Sequence, residues 1–188
     1  LTGLFFGSFN PVHIGHMAIA NYFVEFAKLE ELWFVVSPQN PLKEKSGLLP
    51  ERQRLYMLEL AIGKDYRLKT CDIEFSLPKP SYTVNTLTYL REKYPNRNFA
   101  IIMGSDNLAS FHKWKNYKEI IKHHEILVYP RPSFTPETIE NSYNAIWVNA
   151  PLMEIAASDL RKAIANGHDM KYFFPEKVWE YIDSMNFF

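Results

Sequence analysis

An α/β fold built on a parallel sheet follows from three observations along the chain. Short apolar, strand-like runs alternate with helical patterns, the order expected of repeated strand–helix units. The first run, Leu4-Phe5-Phe6, passes through a tight Gly/Pro turn directly into an amphipathic stretch, Met17-Ala18-Ile19-Ala20-Asn21-Tyr22-Phe23. Near the other end, Gly167 fits a helix stop and Pro175 a helix start. Taken in order, strands are expected at residues 3–6, 31–36, 67–71, 99–103, 125–129 and 145–148, where apolar residues run together. Helices are expected at 14–27, 50–62, 83–93, 118–122, 158–166 and 175–185, where the pattern is amphipathic. Between them, residues 37–49 are rich in Pro, Lys and Gly and too long for a bare connector, the mark of a functional or mobile loop. A second polar, proline-bearing loop is read at 130–142, and no internal repeat or low-complexity tract is present.

At 188 residues the chain is expected to form one domain, with a C-terminal helical part from about residue 150. Lys plus Arg and Asp plus Glu are 21 each, so nothing draws it to polyanions at long range; no nucleic-acid polymer is expected as partner. The single cysteine, Cys71, excludes an intramolecular disulfide and a cysteine-rich zinc site. No apolar run reaches the length of a membrane span and no signal peptide precedes the first strand, so a cytoplasmic protein without a membrane partner is expected. The chain opens in a strand-like segment without Met, and an initiating residue or two is expected before it.

Residues 7–16, Gly-Ser-Phe-Asn-Pro-Val-His-Ile-Gly-His, carry the strongest chemical signal. A helix starting near His13 presents unpaired N–H groups and a partial positive charge, a natural seat for phosphate. His13 and His16 lie three apart in its first turn and therefore face the same way. Gly7 permits close backbone approach, Pro11 fixes the turn, and Gly15 stands between the histidines. A lone histidine at such a place is most often a polar cap, and a zinc pair would require the glutamate and i,i+4 spacing of a zincin helix. The strand–turn–helix puts the motif at the carboxyl edge of the sheet, where open α/β folds bind ligands. The segment resembles the (H/T)xGH signature of the nucleotidyltransferase superfamily, usually GTFDPxHxGH. Here Ser8 replaces Thr and Asn10 replaces Asp, exchanges that keep hydrogen-bonding capacity.

Neither G-x-G-x-x-G nor G-x-x-x-x-G-K-[ST] occurs, so dinucleotide oxidoreductases and P-loop NTPases are unsupported. Ile155-Ala156-Ala157-Ser158-Asp159-Leu160-Arg161 offers a second helix start, with Ser158 as N-cap and Arg161 able to fork onto phosphate oxygens. It resembles the superfamily's ISSTxxR segment, although Ala156 and Ala157 lack that pattern's hydroxyls; only Ser158, Arg161 and the backbone carry over. Lys43 matches the family's Pro-x-x-x-x-Lys spacing without its frequent preceding His.

Two segments select the branch. Pro80-Ser81-Tyr82-Thr83-Val84-Asn85-Thr86-Leu87 resembles the SYTxxTL segment of nicotinate mononucleotide adenylyltransferases. Gly104-Ser105-Asp106-Asn107-Leu108 followed by Trp114-Lys115 resembles their GxDxL…W segment. An isolated Trp is more often packing than ligand contact, but Trp114 sits between lysines in a polar stretch, which a core position does not favour. A flat indole at a ligand mouth can stack on a pyridine ring, and Asp106 at a strand's carboxyl end can accept from a ribose.

The resemblance spans residues 3–161 and implies a Rossmann-like, doubly wound parallel sheet with a small C-terminal helical part. It implies an adenylyltransferase joining ATP and nicotinate mononucleotide to give nicotinate adenine dinucleotide and pyrophosphate, with Mg²⁺ arriving on ATP. His16 and His13 are then the catalytic pair. Gly7, Ser8, Phe9, Lys43, Gly104, Asp106, Ser158 and Arg161 bind the nucleotide, and Thr83, Trp114 and Lys115 the mononucleotide. Phosphopantetheine adenylyltransferases and cytidylyltransferases share the ATP motifs but lack the SYTxxTL and GxDxL…W pair. A non-catalytic nucleotide-binding module is the alternative from another class. A homo-oligomer is compatible with the sequence.

Overall fold

The computed structural model describes residues 1–39, 47–139 and 143–188. Six strands, β1 (Thr2–Gly7), β2 (Glu31–Val36), β3 (Leu68–Cys71), β4 (Phe99–Gly104), β5 (Glu125–Tyr129) and β6 (Ile146–Trp147), form one sheet in the order β3-β2-β1-β4-β5-β6. Every pairing is parallel. The chain first winds outward from β1 to β3, then returns to the other side of β1 and winds outward again. This is the doubly wound, Rossmann-like α/β architecture, with a topological switch point between β1 and β4.

Parallel strands buried on both faces must be apolar at successive positions, and the sequence obeys. On one face Phe5, Leu32, Phe34, Val36, Ala100, Ile102 and Leu127 pack against α1 (Ile14–Phe26), α2 (Glu51–Ile62) and the C-terminal helices. Their alternates Leu4, Trp33, Val35, Phe99, Ile101, Met103, Ile126 and Val128 face α3 (Thr83–Lys93), α4 (Ser105–Ala109) and α5 (Tyr117–His123). α6 (Ala157–Ala165) and α7 (Glu176–Ser184) join the first face, through Leu160 and through Val178 and Ile182.

All six expected strands and six expected helices are present, with ends shifted by one residue at most. α4 was not expected. Ser105 to Ala109 is too short for a periodic signal and follows the strand without a break. Ser158, expected as an N-cap, is instead the second residue of α6. Ala156 keeps an extended backbone (φ −110°, ψ 128°) and its carbonyl already accepts the Asp159 and Leu160 amides, so the helix starts at Ala157. Gly167 stands just past α6 with φ +80°, a backbone that favours glycine.

Candidate active site

The carboxyl ends of β1 and β4 diverge at the switch point, and two adjoining cavities open there. The first, about 430 Å³, is lined by Gly7, Ser8, Phe9, His13, His16, Asp106, Ser158 and Arg161 among others. The second, about 330 Å³, is lined by Gly7, Ser8, Thr83, Gly104, Trp114 and Lys115 among others. Phe5, Phe6, Gly7, Ser8, Asn107 and Tyr129 belong to both, so the two spaces meet over the end of β1. Of the residues expected at a site, only Lys43 is not placed here; it lies outside the described residues.

The turn after β1 is shaped by contacts at near-minimal distance. A Cβ on Gly7 would stand 2.7 Å from the Phe9 ring, and one on Gly15 3.0 Å from the His13 ring. Phe9 itself has φ +46°, an uncommon left-handed backbone for a bulky residue, held by burial of its ring against Phe5 and Phe34. Strain of this kind persists only where packing over-determines it. Gly104 has the same logic across the crevice: a Cβ there would meet Asp106 Oδ1 at 2.4 Å and Arg131 Cγ at 3.0 Å.

His13 is the N-cap of α1, and the two imidazoles are tilted at 33° to each other with centroids 3.8 Å apart. His16 Nδ1 accepts the His13 amide at 3.3 Å. A neutral ring accepting at Nδ1 carries its proton on Nε2. The His16 amide donates to the His13 carbonyl at 3.0 Å. Among the described residues the buried His13 Nδ1 has no hydrogen-bond partner. Burial, with a smaller push from the Arg131 cation, lowers His13 from 6.5 to about 4, so the ring is neutral at pH 7.

That shift has a measurable sign. The unfolded chain protonates this ring near its ordinary value whereas the native state refuses the proton until about pH 4. The unfolded state therefore binds more protons between those limits, and stability falls as pH falls through the window. The contribution is about 3 kcal/mol at full extent. Denaturant titrations from pH 7 to 4 should show His13→Gln losing less stability than wild type over this range. Parallel losses in the two proteins would contradict the buried neutral ring.

Three cations shape the site, two of which, Arg54 and Arg131, sequence reasoning passed over. Arg54, in α2, is fully buried, and its guanidinium donates to four carbonyls. These are Ser8 at 2.6 Å, Leu49 at 2.8 Å, Ser37 at 2.9 Å and Pro38 at 3.2 Å. Burial lowers it to about 10, so it remains charged at pH 7 beneath the turn that carries Ser8. Arg131, just beyond β5, lines the first cavity; its guanidinium donates to the Met153 carbonyl at 2.8 Å and its backbone N–H donates to Ser105 Oγ at 2.8 Å. Arg161 was expected; its guanidinium donates to the Asn10 carbonyl at 2.7 Å. A chain neutral overall thus gathers positive charge around one crevice, which suits a polyanionic ligand.

Asn10 is not interchangeable with aspartate here. Its Nδ2 donates to the Gly47 carbonyl at 2.8 Å and its Oδ1 accepts the Leu49 amide at 3.1 Å. A carboxylate can supply only the second bond. Trp114 also departs from expectation. It is half-buried, with its ring 5.1 Å from that of Phe111, so it packs on the core while lining the second cavity. Lys115 Nζ sits 4.4 Å from the centroid of the Tyr82 ring, and Thr83 opens α3 with a first-turn amide facing no helical acceptor. Among the described residues no group of three or more His, Cys, Asp or Glu is placed to hold a metal ion, and no helix is long and apolar enough to cross a membrane.

This geometry agrees with what the chain is similar to. A Cytidylyltransferase-like family model matches residues 4–163. A Flavobacterium johnsoniae protein named "Probable nicotinate-nucleotide adenylyltransferase" is 52% identical, over 99% of this chain and 97% of its own. A protein of the same name from Bacteroides thetaiotaomicron is 49% identical over 96% of this chain and 90% of its own. In fold, nicotinic acid mononucleotide adenylyltransferase from Plasmodium falciparum superposes with a TM-score of 0.82 at 19% identity, covering 98% of this chain and 95% of that one. With the motif residues gathered on one crevice and relatives this close over their whole length, the chain belongs to the nicotinate-nucleotide adenylyltransferase family of cytidylyltransferase-like nucleotidyltransferases.

Proposed function

We propose that this protein joins ATP to nicotinate mononucleotide, releasing pyrophosphate and forming nicotinate adenine dinucleotide. One observation carries the reading: two cavities, each of a size for one nucleotide half, meet over Gly7 and Ser8 beside the histidine pair. ATP in the first and the mononucleotide in the second would bring the attacking 5′-phosphate and the α-phosphorus together at that junction. The names of the relatives agree with it, and the Plasmodium protein of like fold is described as complexed with NaAD.

In this reading a phosphate oxygen of the mononucleotide attacks the α-phosphorus in line. The P–O bond to the β-phosphate breaks and pyrophosphate leaves with the electron pair. A phosphate monoester is already ionised, so no general base is required. Catalysis is then positioning and stabilisation of charge on phosphate oxygens. His16, donating from Nε2, is assigned to the α-phosphate in the transition state. His13 and Ser8 align the chain of phosphates, with Gly7 and Phe9 shaping their seat. Arg161, the backbone at Ser158, and Lys43 are assigned to the departing phosphates, and Asp106 to a ribose. Mg²⁺ is proposed to enter with ATP, neutralising phosphate charge, with Asp106 the nearest acidic side chain lining the first cavity.

The pyridine ring is assigned to Trp114, and its carboxylate to the backbone N–H of Thr83 and to the Lys115 segment. Stacking does not distinguish acid from amide, whereas two hydrogen bonds to a charged group, each worth about 1.5–3 kcal/mol, favour the acid roughly a hundredfold or more. Trp114→Ala is therefore expected to raise KM for both mononucleotides while leaving their ratio nearly unchanged. A pyrophosphate-release assay with ATP and either nicotinate or nicotinamide mononucleotide tests the whole reading. Equal kcat/KM for the two in the wild-type protein would make it a dual-specificity enzyme, and no release with either would reject adenylyl transfer.

A further inference from the structure

Any group handed from one cavity to the other must pass the residues that line both. Phe5, Phe6 and Gly7 offer it no polar side chain. Ser8 belongs to the turn after β1, and Asn107 is exposed on α4. Tyr129, the last residue of β5, completes the set. Its hydroxyl forms no hydrogen bond among the described residues.

The ring is nonetheless fixed. It stands edge-on to Phe5 of β1 and Phe23 of α1, at 6.0 and 6.2 Å between centroids. Its register partner on β4 is Gly104. A Cβ there would lie 3.3 Å from Tyr129 Cζ, the carbon that bears the hydroxyl. The bare backbone of Gly104 thus leaves room for the polar end of the ring. Burial pushes the phenol up to about 12, against a pull from the Arg131 cation and with a push from the Asp106 carboxylate. At pH 7 it is a neutral hydroxyl, and towards a phosphate oxygen it can only donate.

We propose that the Tyr129 hydroxyl donates to a non-bridging oxygen of the α-phosphate, as a second fixed donor beside His16. The inference rests on the adenylyl-transfer reading of the two cavities. The α-phosphate is bonded to pyrophosphate before the reaction and to the mononucleotide after it, so it lies where the two spaces meet. Tyr129 keeps its proton throughout, and the bonds made and broken are those at the α-phosphorus alone. The surrounding cations attract every phosphate oxygen, whereas one hydroxyl on a rigid ring reaches one oxygen. Its contribution is therefore geometric selection at the reacting centre.

Tyr129→Phe removes the hydroxyl and leaves the ring against Phe5 and Phe23. With ATP, nicotinate mononucleotide and Mg²⁺, kcat for pyrophosphate release is expected to fall about tenfold to a hundredfold, the scale of one lost hydrogen bond to a charged group. KM for each substrate should change by less than about threefold, the mark of an interaction made chiefly in the transition state. ATP bearing sulfur in place of one or the other non-bridging α-oxygen gives a second readout. Sulfur accepts hydrogen bonds poorly, so wild type should favour the diastereomer that keeps the contacted oxygen, and Tyr129→Phe should change that ratio several-fold. The ratio does not depend on the folded fraction, so lost stability cannot imitate the effect. Wild-type kcat in the variant, a change confined to KM, or an unaltered diastereomer ratio each overturns the proposal. Failure of the functional reading looks different: wild type itself then releases no pyrophosphate with either mononucleotide, and the Tyr129 assignment falls with it.

Discussion

Alanine in place of His16 is expected to reduce turnover by about a hundredfold or more, the scale of one lost donor to a transition state. The ring is held for that task on two sides. His16 Nδ1 is tied to the His13 amide, and the ring sits edge-on to Phe9 at 5.1 Å between centroids. Orientation is thus set before any ligand arrives, which is where electrostatic catalysis gains most. KM for ATP should move less than kcat, because the donor counts for more as charge develops on the α-phosphate. Steady-state rates with both substrates varied give the comparison, and near wild-type kcat would remove His16 from the chemistry.

Arg54→Met should be the most damaging single change to the fold outside the apolar core. The substitution keeps bulk but strips the donor from the carbonyls of Ser8, Ser37, Pro38 and Leu49 at once. A buried acceptor left unsatisfied costs about 1–3 kcal/mol; partial relaxation of four such groups still leaves a loss of about 3 kcal/mol or more. Arg54→Lys should not rescue it, since an ammonium cannot span four carbonyls as a planar fork does. Urea denaturation gives the stability change. Hydrogen exchange should rise at residues 8–10, 37–39 and 47–49 together, and a rise at one segment alone would contradict a shared anchor.

Why Arg54 escaped a reading of the sequence is physically clear. Within Glu51-Arg52-Gln53-Arg54 it has the look of a solvated helix face, and nothing local says that three loops fold over it. By contrast the strand–turn–helix from Leu4 to Phe23 was legible because its Gly, Pro and His residues each answer a local backbone demand. The strand runs were legible because two-sided burial forces continuous apolar sequence. Trp114 illustrates the intermediate case: flanking lysines pointed to solvent, and Phe111, three residues earlier, supplied packing that spacing alone did not weigh.

The position of β1 at the centre of the sheet also bears on the order in which the molecule assembles. β1 finds β2 across residues 8–30, but it finds β4 only across residues 8–98. Closing the longer segment carries the larger entropic penalty, and pairings of high sequence separation slow folding. The half comprising β1, β2 and β3 can therefore consolidate while the β4 side is still forming. The crevice has one wall from each half, so neither half alone contains it. Competence to bind nucleotide arrives late in folding, with the docking of the two halves along the β1–β4 seam.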